Sequence, residues 1–289
     1  MPPVPRPPND PLLEWSAPSG RVVSRVYPGS STGAGSRGLM VFFPPGGFAV
    51  ADLDASEDCM KEFALACQVT VLASGYAVAP EHPFPAAVED AHALLSQVTA
   101  RPSRVPGWTG DHLFVAGIEA GGNLAAVSAL ICRDRQGPRL AGQVLIMPML
   151  DPSMTVCTQA AAQTPSALQG LGANEVLQAM SDAYRGYLPR LSDRVHPYAC
   201  PLQSSRLAGL PPALLIYADG DPLGAEARAY ADKLEHAGVA VERAALPASV
   251  LADAEARCAA AGEDACVAAI ARFIAARLQQ PRSLSRRNS

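Results

Sequence analysis

The chain has 289 residues, long enough for one large α/β domain with a full core or for a domain carrying a small lid. Hydrophobic residues make up 49% and charged residues 17%, as in a well-buried soluble protein, and a net charge of -4 leaves no electrostatic footprint for nucleic acid. No apolar run reaches the ~18 residues of a membrane span, and the proline-rich start lacks the apolar segment of a secretory signal, so the cytoplasm is the expected compartment.

Met1 to about Pro18 is too rich in proline for a good strand or helix and reads as an extended arm lying on the fold. Arg21–Tyr27 alternates as a strand, followed by a Gly/Ser-rich turn. Gly38–Phe43 is a continuous apolar run of the kind buried in a central sheet, and it stops abruptly at Pro44-Pro45-Gly46-Gly47-Phe48. Glu57–Cys67 has helical spacing, Val69–Ala73 reads as a strand, and a proline-punctuated loop at Ala79–Pro85 leads into a helix over Ala87–Val98.

Next comes His112–Ala126, HLFVAGIEAGGNLAA. A β-branched and aromatic run ends at Gly117 and a small-residue helix begins near Gly121, extending to about Cys132. Glu119 sits between them in the frame Gly-x-Glu-x-Gly. A glycine on each side of one residue, between strand and helix, describes the tight turn called a nucleophile elbow. The glycines are needed because strand and helix approach too closely for side chains. The GxGxxG spacing of a dinucleotide loop is not met.

Gly142–Met147 is another strand, and Asp151 to about Ser205 interrupts the alternation with helical fragments, as a lid insertion would. Leu214–Ala218 is a strand running into Asp219-Gly220-Asp221-Pro222-Leu223. Glu226–Ala237 reads as a helix, Val239–Leu246 as an edge strand, and Ala254–Leu278 as one or two alanine-rich helices. The alternation predicts a mostly parallel sheet with helices on both faces, and function gathered at the carboxyl ends of its strands. The expected layout is a single domain over 1–289, with lid elements from 1–20 and about 152–205 and a disordered tail at 279–289.

Four stretches, in this order, resemble the hormone-sensitive-lipase-like family of α/β-hydrolases. Pro44–Phe48 falls where that family carries His-Gly-Gly-Gly-Phe. Tyr76–Ala87 is similar to its Tyr-Arg-Leu-Ala-Pro-Glu-His loop, Gly117–Ala126 to its Gly-Asp-Ser-Ala-Gly-Gly-Asn-Leu-Ala-Ala, and Asp221-Pro222-Leu223 to the Asp-Pro-Leu that carries the triad acid. The resemblance covers about residues 38–246. It implies the α/β-hydrolase fold with a small helical lid, an oxyanion hole from the N–H groups of Gly46, Gly47 and Ala120, and no cofactor or metal.

The departures fall on the chemistry. Glu119 stands at the nucleophile position. Asp221 is retained at the acid position, but the family's histidine is missing, and Leu251 is its nearest equivalent. A serine–histidine–acid triad needs a hydroxyl whose proton an imidazole can take. A carboxylate nucleophile would need a base to activate the water that releases its ester. The amides of the hole survive, and the expectation is that they hold either the Glu119 carboxylate or an anionic group of a ligand.

The blander readings are a Glu119 turned to solvent and an Asp221 that is a relic capping a turn. His82 belongs to a structural motif. His92, His112, His196 and His236 fall on predicted helix or loop surfaces. Seven scattered cysteines read as buried thiols, Cys200 among them, although Cys258 and Cys266 lie close enough around Gly262 to invite a bridge.

The reading that follows is a pseudo-hydrolase that binds a small apolar or amphipathic molecule under its lid. A plant hormone receptor class that also lost the catalytic histidine gives a precedent. The alternatives are a lyase, isomerase or cyclase with Glu119 as general acid or base, and a weak carboxylic ester hydrolase. By analogy with relatives, a homodimer through an edge strand or a carboxyl-terminal helix is expected.

Overall fold

The computed structural model describes residues 12–29, 35–163, 172–247 and 249–279. The expectations for the chain start and for the tail from residue 280 fall outside these residues.

Eight strands form one sheet: β1 (Leu12–Ala17), β2 (Gly20–Tyr27), β3 (Ser36–Phe43), β4 (Thr70–Ser74), β5 (Trp108–Ile118), β6 (Gly142–Ile146), β7 (Ala213–Ala218) and β8 (Val241–Leu246). Their order is β1-β2-β4-β3-β5-β6-β7-β8. β1 and β2 run antiparallel to their neighbours and the rest are parallel. β4, β6 and most of β3 and β5 are buried throughout, which is why they read as unbroken apolar runs rather than alternating ones. β1 corrects the expected arm: the proline-free stretch Leu12–Ala17 pairs with β2 in register from Leu12↔Arg25 to Ala17↔Gly20.

The helices are α1 (Glu57–Cys67), α2 (Ala86–Ala100), α3 (Ala120–Asp134), α4 (Thr155–Gln163), α5 (Ala173–Tyr187), α6 (Pro222–His236), α7 (Ala254–Ala261) and α8 (Asp264–Leu278). α1 packs on α8, and α2 packs on α3. Right-handed crossovers from β3 through α1 and from β5 through α3 step in opposite directions along the sheet, so these helices cover opposite faces. α6 begins four residues earlier than periodicity indicates, because Pro222 occupies its first turn and Asp221 caps it by accepting from the Leu223 N–H at 2.9 Å. The alanine-rich end divides at Gly262 into α7 and α8.

The connections after β3, β5, β7 and β8 all emerge at the carboxyl edge of the sheet. Over that edge stands α5, whose apolar side turns inward through Val176, Met180, Tyr184 and Tyr187. The Tyr187 ring stacks on Phe48 at 3.9 Å and meets Phe84 edge-on at 5.9 Å, which ties α5 to the loop after β3.

Among the described residues no helix is long and apolar enough to cross a membrane. All seven cysteines are buried and free, so Cys258 and Cys266 are not bridged. His112 departs from its expected surface position: it is buried in β5.

Candidate functional site

The site is built on the elbow. Gly117 closes β5 and Gly121 opens α3, and a Cβ on Gly117 would run into the Gly121 carbonyl, while one on Gly121 would run into that of Phe43. Between them Glu119 adopts φ 56° and ψ -114°, a conformation that costs a non-glycine residue roughly 1–3 kcal/mol. Its backbone is held on both sides. The Glu119 N–H donates to the Ile146 carbonyl at 3.0 Å, and its own carbonyl accepts from Asn123 and Met149.

The strained backbone aims the carboxylate at the loop after β3. There Gly46 and Gly47 both have positive φ, at 139° and 58°, and a Cβ on Gly46 would strike the Val50 carbonyl. Their amides converge on one oxygen: Oε2 of Glu119 accepts from Gly46 at 2.7 Å and from Gly47 at 3.2 Å. Of the two expectations for this site, it is the chain's own carboxylate that is seated on the amides. Ala120 supplies neither of these bonds. Tyr76 braces the loop from behind, donating its hydroxyl to the Pro44 carbonyl at 3.0 Å, and burial first and the Glu119 charge second push that phenol well above its ordinary range.

The other oxygen of Glu119 meets a residue that sequence reasoning missed. Arg257, on α7, is 2% exposed and lies between the two carboxylates. Its guanidinium is 3.8 Å from Oε1 of Glu119 and 3.7 Å from Oδ2 of Asp221. Asp221 is therefore more than a turn cap. It also accepts from the Leu251 N–H at 2.9 Å, so the backbone of Leu251 lies beside the acid while the neighbouring charge comes from Arg257. Burial, with Glu119 as a smaller contribution, raises the Asp221 carboxyl above its usual range, against the opposing pull of Arg257 and two amides. The signal in the sequence was a single arginine inside the otherwise alanine-rich Ala254–Ala261.

No hydrogen bond or ion pair described for Glu119, Asp221 or Arg257 involves a histidine. His196 packs its ring on Phe84 and Tyr198, and His236 bonds the Asp232 carbonyl of its own helix.

In front of the site is a cavity of about 610 Å³, within the usual size of small-molecule sites. Its floor holds Glu119, Gly46 and Gly47, and α5 forms one wall with Val176, Ala179, Met180 and Ala183. Asp182 and Asp253 also line it. Among the described residues no group of three His, Cys, Asp or Glu is placed to hold a metal ion.

A second buried acidic cluster, also missed by sequence reasoning, lies between α6 and the segment after β6. Glu226 of α6 is fully buried, and its Oε2 accepts from the amides of Leu150 at 2.5 Å and Asp151 at 3.1 Å. The Cys157 thiol donates to its Oε1 at 2.8 Å. Burial pushes the Glu226 carboxyl up to about 7. Cys200 is in the same neighbourhood, donating to Asp151 at 3.5 Å, and burial raises its thiol well above the ordinary value.

Comparison with known proteins agrees with this architecture. Residues 40–250 match the family model described as the alpha/beta hydrolase fold. The carboxylic ester hydrolase LipN of Mycobacterium tuberculosis is 35% identical over 238 residues, which are 80% of this chain and 60% of that protein. Carboxylesterase NlhH of the same organism is 33% identical over 73% of this chain and 65% of its own length. The chain thus spans less than two thirds of these relatives. A solved structure, the hyperthermophilic esterase from Pyrobaculum calidifontis, superposes with a TM-score of 0.80 at 27% identity, covering 94% of this chain and 85% of the other. On the matched span, the sheet order and the elbow, this chain belongs to the α/β-hydrolase fold family, in its hormone-sensitive-lipase-like esterase branch.

Proposed function

We propose that this chain is a non-hydrolytic member of its family that binds a small amphipathic molecule in the cavity before Glu119. The observation that carries the reading is the seating of the Glu119 carboxylate on the Gly46 and Gly47 amides. Ester hydrolysis needs those donors free for the oxygen that becomes negative in the transition state. Here the chain's own side-chain oxygen, Oε2 of Glu119, already occupies them. Hydrolysis also needs a base beside the attacking group, and the group beside Glu119 is a guanidinium, which carries hydrogen-bond donors and no acceptor.

The reading is tested with short-chain nitrophenyl esters. The expected rate is indistinguishable from the uncatalysed one, and turnover at about 1 per second or faster would overturn it. The names of the relatives favour such turnover, so the assay is a direct contest between family membership and local chemistry.

A second reading has Glu119 moving a proton in a lyase, isomerase or cyclase reaction. Its support is Oε1, which opens toward the cavity and makes no hydrogen bond, only the 3.8 Å approach to Arg257. Once a substrate is in hand, an undiminished rate in Glu119→Gln rejects it.

A further inference from the structure

The cavity's charge is lopsided in a way that specifies what could bind there. Its floor exposes Oε1 of Glu119, whose side chain is 12% accessible, while the Arg257 side chain is 3% accessible and packed between two carboxylates. The amides that would receive a ligand's carbonyl or carboxylate are taken by Oε2. Two more carboxylates line the cavity. Asp182 is paired with Arg185, and Asp253 caps α7 by accepting from the Ala256 N–H at 2.8 Å. Burial raises the Asp221 carboxyl, but even with Asp221 neutral the lining keeps Asp182 and Asp253 beyond the Glu119–Arg257 pair. Val176, Ala179, Met180 and Ala183, on the same helix as Asp182, present an apolar wall.

We infer that the cavity selects an amphipathic molecule whose polar end is a hydrogen-bond-donating cation, such as a primary ammonium, seated against Oε1 of Glu119, with its hydrocarbon part along α5. The inference rests on the binding role proposed above and deepens it. An ammonium supplies the donor that Oε1 lacks and leaves Oε2 on its amides. A carboxylate head would find the Gly46 and Gly47 amides taken and the Arg257 guanidinium buried between Glu119 and Asp221, and would face Glu119, Asp182 and Asp253. An uncharged hydroxyl head could donate to Oε1 but would lack the charge that strengthens such a bond.

The test is calorimetric titration of the full chain with n-hexylammonium, 1-hexanol and hexanoate, which share one tail and differ in the head. Hexylammonium should bind at least about tenfold more tightly than hexanol, with hexanoate weakest. Added salt should shrink the preference for the cation. Glu119→Gln should reduce that preference to about threefold or less, while Asp182→Asn lowers it modestly. Equal binding of the three ligands, tighter binding of hexanoate, or a preference intact in folded Glu119→Gln would overturn the inference and leave the binding role standing. Binding of none of the three would count against both. The wild-type comparison decides the matter even if the Glu119 variant does not fold.

Discussion

Nη1 of Arg257 lies 3.8 Å from Oε1 of Glu119, and this buried contact links a residue of the strand–helix turn to one from the chain's last third. The same guanidinium also approaches Asp221, at 3.7 Å from its Oδ2, so one cation sits between two carboxylates.

Removing that cation should be costly. Arg257→Met leaves Glu119 and Asp221 without the charge between them, and loss of one partner from a buried ionic group typically costs about 3–5 kcal/mol. Denaturant titration at pH 8 should show a loss of this order. The loss should shrink toward pH 5, because protonating the carboxyl already raised by burial, Asp221, relieves the repulsion. A loss that is unchanged or larger at pH 5 would count against the pairing.

Restoring the hydroxyl alone should not restore hydrolysis. In Glu119→Ser the Gly46 and Gly47 amides are freed, but the neighbour remains the Arg257 guanidinium, which cannot take a proton. Nitrophenyl ester turnover should stay well below about 1 per second. Brisk turnover would mean that another residue serves as the base.

The elbow glycines should tolerate no side chain. A methyl at Gly117 or Gly121 meets backbone rather than a side chain that could swing away. Gly121→Ala should therefore lose more than the ordinary overpacking penalty of about 1–3 kcal/mol, or fail to accumulate as folded protein. Gly238→Ala is the control. That glycine has open space at Cβ and only its φ of 78° to strain it, so its loss should be smaller.

Glu226 should make stability depend on pH. Its carboxyl is raised to about 7 from an ordinary 4.5, so the folded chain holds a proton that the unfolded chain has released between those values. The stabilising contribution is therefore complete below about 4.5 and is lost as pH rises through about 7, at up to roughly 1.4 kcal/mol per pH unit. Glu226→Gln, which keeps an acceptor for the Leu150 and Asp151 amides, should flatten this part of the profile in thermal melts at pH 5 and pH 8. An unchanged slope would show that Glu226 ionises normally.

The elbow and the sheet are legible in the sequence because both depend on neighbours in the chain. Gly117 and Gly121 bracket Glu119 within a few residues, and the buried strands are short apolar runs with breakers at their ends. Leu12–Ala17 shows the opposite case. Its prolines lie outside the strand, and what makes it a strand is its pairing with β2. Arg257 is less legible, because its partners arrive from the ends of β5 and β7 and nothing near it in sequence marks it as buried. Glu226 is hidden for the same reason: its helix reads as amphipathic, and only the fold brings the amides of Leu150 and Asp151 over its carboxylate.

The trio of Glu119, Arg257 and Asp221 also limits the chain's evolutionary options. Changing the glutamate first strands the arginine with one counter-ion fewer, and changing the arginine first sets two anions face to face. Each single substitution goes uphill before a second can compensate, so descendants of this protein should retain all three residues together or lose them together.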